Sequence, residues 1–368
     1  MTIKAAVLGL TFASALAAPT LAHANIETCS FAVLDSDGQP TYEVQKVEYF
    51  HAPSNFNTYA WRCDWNTGRC SLSGWLISPR KANGGNLPAI VFEHGSAGAT
   101  PLGQLIEDDQ SLTGYSCAIK RFVDAGYVVF MPYRRGTFDK TSASTLPVAA
   151  RGLEGWSNSG WNAQDYAVWS VENAGVDLNG DNYTGQYISY LDAEVGDLVD
   201  VLQTLDHYVR PDMTAKLVDP TRVAIAGHSI GGAFTTFAGT DDDLYTKVAH
   251  GPRAFISLSG AAMSYHESFW WHDQLTASAA INNAPLYFTR VLDEDARVPN
   301  DFASAREPFA ETNNGADGSG MALFSNANAS CASSVPVYQC NHSAFVTNND
   351  QIDRWFPYVK RFLGTVGM

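Results

Sequence analysis

"RVAIAGHSIGGA", residues 222–233, decides how this chain is read. Val223 to Ala226 form a short apolar run with β-branched members, which predicts a strand buried on both faces. The continuation, "IGGAFTTFAG", has small residues in its first turn and apolar residues beyond, which predicts a helix. Ser229 therefore falls at a strand-to-helix corner. Gly227 and Gly231 flank it, allowing a turn that side chains would obstruct. A serine so placed stands proud of a sheet, with the unpaired N–H groups of a helix start behind it. The plainer alternative is a glycine-rich turn capped by a serine, so the rest of the chain must choose.

The chain has 368 residues, 45% hydrophobic and 17% charged, which suits one large α/β domain. Residues 1–24, "MTIKAAVLGLTFASALAAPTLAHA", have Lys4, an apolar stretch from Ala5 to Ala18 and a small-x-small site at Ala22-His23-Ala24. That is the pattern of a secretory signal peptide, so residues 25–368 are expected to form a single exported domain, secreted or periplasmic. No later segment approaches a membrane-spanning run, and no membrane insertion is expected. A formal net charge of −15 opposes binding to nucleic acid or anionic lipid.

Six cysteines follow the leader, an even count that points to disulfides in an exported chain. "CDWNTGRC" centres on turn residues and predicts a hairpin closed by Cys63–Cys70. "CASSVPVYQC" suggests Cys331–Cys340, and elimination leaves Cys29–Cys117. No C-x-x-C pair supports a metal site instead. "DLNGDNYTGQYI" (177–188) sets Asp177, Asn179 and Asp181 at calcium-loop spacing, but Asn182 and Ile188 stand where such a loop needs Gly and Glu. An Asx-rich turn is the better reading there, and no metal is expected.

Alternating residues at 43–52 and 71–80 predict an antiparallel pair of strands. Continuous apolar runs predict buried strands at 87–95, 127–136 and 253–260. Residues 284–299 are expected to be a strand running into an acidic loop, and 335–345 a short strand ending in a histidine loop. Helical spacing marks 118–126, 192–208 and 351–364. The alternation predicts a mostly parallel central sheet with helices on both faces. In such sheets chemistry gathers at the C-terminal ends of the strands. Three polar residues follow such ends in the order Ser229, Asp295, His342. A serine hydroxyl needs a base within hydrogen-bond reach and a third group to orient that base, and these residue types meet the need.

In "VFEHGSAG", "GYVVFMPYRRG", "RVAIAGHSIGGA", "LDEDARVP" and "CNHSAF" the chain resembles the α/β-hydrolase superfamily, in particular its dienelactone-hydrolase-like and prolyl-oligopeptidase-like members. The resemblance covers about residues 43–364. It implies a serine nucleophile at Ser229, an acid at Asp295, four residues before Pro299, and a base at His342. Asp293 competes for the acid. It further implies oxyanion donors at the backbone N–H groups of Ile230 and Ser96, with His94 shaping that loop. Asn341 replaces the usual glycine before the histidine. "FTRVLDED" lacks the common His-Gly before the acid.

An irregular, aromatic-rich span at about 137–190 is expected to be a cap. Trp156, Trp161, Trp270 and Trp271 are expected to wall a substrate pocket. The function so implied is hydrolysis of a small-molecule carboxylic ester through an acyl-enzyme, with no organic cofactor. Its rivals are a peptidase of the same superfamily and a silent binding protein on the same fold.

Overall fold

The computed structural model describes residues 29–51, 63–64, 69–81, 85–94, 110–132, 195–228, 230–259, 284–291, 319–324 and 344–368. Residues 1–24, where a signal peptide is expected, and the span 137–190, with its segment 177–188, lie outside them.

Strands β1 (Tyr42–His51), β2 (Cys63–Asp64) and β3 (Arg69–Pro79) open the fold. β4 (Leu87–Glu93) leads to helix α1 (Gln110–Asp124) and β5 (Val128–Pro132). Helix α2 spans 195–207. It is followed by β6 (Val218–His228), α3 (Ile230–Ala238) and α4 (Asp243–Thr246). β7 (Ala254–Leu258), β8 (Leu286–Val291), β9 (Gly320–Phe324) and α5 (Asn349–Thr365) complete it.

The nine strands of the described residues join one sheet in the order β1-β3-β5-β4-β6-β7-β8-β9, with β2 attached to β3. β3 pairs antiparallel with β1 and β5, and every pairing from β5 to β9 is parallel. The expected antiparallel entry into a parallel sheet is therefore present. Parallel strands covered on both faces alternate between two cores. In β4, Ala89 and Val91 face one core, while Ile90 and Phe92 face the other. β6 repeats the pattern with Val223 and Ile225 against Ala224 and Ala226. α2 and α3 cover the first face, and α1 and α5 cover the second.

The disulfide expected by elimination, Cys29–Cys117, is present and joins residues 88 apart in sequence. It pins the N-terminal segment to α1. Cys63 and Cys70 are directly opposite in the β2–β3 ladder, as the hairpin reading requires of their backbones. Their side chains, and both Cys331 and Cys340, lie outside the described residues. Among the described residues no helix is long and apolar enough to cross a membrane.

Two expectations need correction. The reading of 118–126 found only the second half of α1, which begins at Gln110. The histidine loop expected to run to residue 345 ends sooner, because residues 344–347 are helical, and the short strand expected before it lies outside the described residues. β9, the strand that pairs with β8, is one that sequence reading missed.

Candidate active site

The corner between β6 and α3 is a close approach of backbone to backbone. β6 ends at His228 and α3 begins at Ile230, so Ser229 is the single residue between them. A β-carbon on Gly227 would lie 2.2 Å from the carbonyl oxygen of Gly231 and 2.6 Å from Thr235 Oγ1. One on Gly231 would lie 2.5 Å from the carbonyl oxygen of His94. Both positions exclude any side chain on distance alone, which gives the two glycines their physical reason.

Hydrogen bonds then fasten the first turn of α3. Ser257 Oγ, on β7, donates to the Gly232 carbonyl at 2.9 Å. Thr235 Oγ1 donates to the Gly231 carbonyl at 2.7 Å, and Thr236 Oγ1 to that of Gly232 at 3.1 Å. The helix start is thus pressed against the end of β4 and tied to β7. Glu93 and His94, at the end of β4, are both almost fully buried. Glu93 also lines a small cavity with Asp197, Tyr49 and Phe234. Sequence reading gave Glu93 and Asp197 no part, since an acid in an apolar run carries no sign of what encloses it.

Behind the corner stands Tyr115 of α1. Its hydroxyl lies 3.3 Å from His228 Nδ1, and its ring meets the imidazole edge-on with centroids 5.8 Å apart. The same ring packs on Phe92 of β4, centroids 5.4 Å apart.

The sheet register sets the C-terminal ends of β6 to β9 in one row. His228 pairs with Leu258, Leu258 with Thr289, and Thr289 with Ala322. The chain leaves this row at Ser229 after β6. After β8 it continues through Val291 toward Asp295. His342 comes two residues before Ala344, and the adjacent Phe345 is buried against Phe324 of β9 and Trp355 of α5. Trp355 Nε1 donates to the Phe345 carbonyl at 2.7 Å, anchoring the backbone just beyond the histidine. β6 and β8 are two strands apart, roughly 10 Å at ordinary sheet spacing. Ser229, Asp295, His342 and Ser96 lie outside the described residues, as do Trp156, Trp161, Trp270 and Trp271. The backbone of Ile230 opens α3.

The antiparallel entry, the parallel strands beyond it and the helices on both faces are the arrangement that the resemblance to α/β-hydrolases implies. No protein-family model matches the chain. No curated protein matches it either. Among solved structures it is similar to a propionate-bound esterase 2 from Thermogutta terrifontis, 15% identical with a TM-score of 0.48, over 89% of this chain and 95% of that one. It is also similar to esterase B from Lactobacillus rhamnosis, 11% identical with a TM-score of 0.46, over 88% of this chain and 86% of that one. A third similar structure is the acylaminoacyl peptidase of Pyrococcus horikoshii, 16% identical with a TM-score of 0.45. There the match covers 88% of this chain but only 41% of the peptidase.

Proposed function

We propose that this chain is an exported serine hydrolase that cleaves carboxylic esters through an acyl-enzyme. The observation that carries the reading is the corner itself: two glycines with no room for a β-carbon, and one residue, Ser229, between strand and helix. Such a corner leaves a serine oxygen exposed at the sheet edge where substrate can reach it.

In this reading His342 takes the proton from Ser229 as its oxygen attacks the ester carbonyl. Asp295 holds the imidazole in the tautomer that accepts that proton. The N–H groups of Ile230 and Ser96 receive the negative charge that develops on the carbonyl oxygen. The described geometry favours this pairing, because Gly231, next to Ile230, lies against the carbonyl of His94, two residues before Ser96. One such donor is worth about 3–4 kcal/mol of transition-state stabilisation. Collapse of the tetrahedral intermediate breaks the bond to the alcohol, which leaves with the proton from His342. Water, deprotonated by His342, then releases the acid. Trp156, Trp161, Trp270 and Trp271 would wall the acyl pocket. Export accords with the Cys29–Cys117 disulfide, a bond that persists in oxidising compartments.

The test is Ser229→Ala, assayed on short and long p-nitrophenyl esters and on peptide anilides, alongside labelling by a fluorophosphonate. Wild type should be labelled at Ser229 and prefer esters. A folded Ser229→Ala protein that still turns over, or a preference for anilides, overturns the proposal.

A further inference from the structure

We propose that Tyr115 is a positioning residue for Ser229 and acts through His228. The inference rests on the reading of Ser229 as nucleophile and adds a residue to it.

The argument starts from adjacency. β4 and β6 are neighbouring strands, with Phe92 paired to Ala226 and Glu93 to Gly227. From their C-terminal ends depart the two segments that the reaction needs, the loop carrying Ser96 and the corner carrying Ser229. Tyr115 touches both strand ends: its ring rests on Phe92 and its hydroxyl meets His228 Nδ1. A rigid phenol has only two side-chain torsions, so it holds this distance with little entropy to lose. His228 is one peptide bond from Ser229 and is buried, so a shift of its ring is passed to the corner rather than absorbed by solvent.

Tyr115 is itself held from behind. The next residue, Ser116, accepts a hydrogen bond at its Oγ from the Cys29 N–H at 3.0 Å, and Cys117 carries the disulfide to Cys29. This turn of α1 therefore has a covalent and a hydrogen-bonded anchor in the N-terminal segment. A displacement of about 1 Å at a reacting group can cost on the order of a hundredfold in rate. Loss of one hydroxyl, with the ring left in place, should move the corner by less.

The experiment compares Tyr115→Phe, His228→Leu and the double variant in wild-type background. Measurements are kcat and KM for p-nitrophenyl acetate, the second-order rate of fluorophosphonate labelling, and the melting temperature. The expected result for Tyr115→Phe is about a tenfold fall in kcat and an equal fall in labelling rate, with KM within twofold. In the His228→Leu background the same change should have no further effect on kcat. Replacing His228 by Asn, which restores a hydrogen-bonding partner, should recover part of the loss seen in His228→Leu. An unchanged kcat in Tyr115→Phe, or losses in the two single variants that multiply in the double, overturns the positioning role. Activity in Ser229→Ala would instead remove the nucleophile, and this proposal with it.

Discussion

A β-carbon on Gly231 would stand 2.4 Å from the carbonyl oxygen of Glu93, a distance that no real β-carbon tolerates. The first turn of α3 and the end of β4 are thus in backbone contact. Any side chain there must drive the helix off the strand. Gly231→Ala should lower stability by about 1–3 kcal/mol as overpacking. Its effect on ester hydrolysis should be larger, at least a hundredfold, because Ile230 and Ser229 move with the helix. Denaturant midpoints and kcat/KM for one ester check both halves, and an active Gly231→Ala enzyme would argue against the corner as the site.

Asp295→Asn should lose on the order of a thousandfold or more in kcat, whereas Asp293→Asn should stay within about threefold of wild type. The reason is the offset of Asp295 from Pro299, together with the need for a carboxylate on the imidazole. Steady-state kinetics at pH 8 for both variants decides between them, and the reverse order would move the acid to Asp293.

The disulfides should divide stability from activity. Cross-linking Cys29 to Cys117 closes a span of 88 residues, which the chain-entropy argument values at about 4–5 kcal/mol. The short loop proposed for Cys331–Cys340 is worth only about 3 kcal/mol on the same argument. Its distance of two residues from His342 gives it more influence on the base. Replacing Cys29 and Cys117 by Ser should therefore lower the melting temperature more, and replacing Cys331 and Cys340 should lower kcat more. Peptide mapping without reduction should first recover both linked fragments.

At alkaline pH a cluster on α1 should matter. Burial, and then a hydrogen bond to Asp124, raise the Tyr42 hydroxyl above its usual 10.0. For Lys120 burial acts downward, but hydrogen bonds to Asp124 at 2.7 Å and Tyr42 at 2.6 Å outweigh it, so its ammonium is also raised. Groups raised in the folded state stabilise it below their unfolded values, and that stabilisation is lost as pH climbs past about 10. Tyr42→Phe should be less stable than wild type at pH 8. The gap should narrow above pH 10, measured by urea midpoints across the range.

The central strands were legible because burial on both faces leaves continuous apolar runs, as in "LPAIVFE" and "RVAIA". β9 was not. Gly320, Met321, Ala322, Leu323 and Phe324 contain no β-branched residue. Its strand state comes from pairing with β8 and from Phe324 packing on Phe345 and Tyr358. The first half of α1 was hidden for a similar reason. "QSLTGYS" holds Ser, Thr and Gly, poor helix formers, and tertiary ties through Cys117, Ser116 and Tyr115 hold it there. At the site, glycine spacing announced the corner. The partnership of Tyr115 with His228, 113 residues apart in sequence, left no local trace.

Ala89 of β4 pairs with Val223 of β6, and between them in sequence lie α1, β5, the aromatic-rich span and α2. The seam at the middle of the sheet can therefore close only once the chain through Gly227 is free to pair. Until then β4 has β5 as its neighbour on one side and an open, apolar edge on the other. Long-range parallel pairing of this kind is slow, and an open edge of this kind recruits other chains. Refolding yield should accordingly fall as chain concentration rises, with self-association competing directly against closure of that one seam.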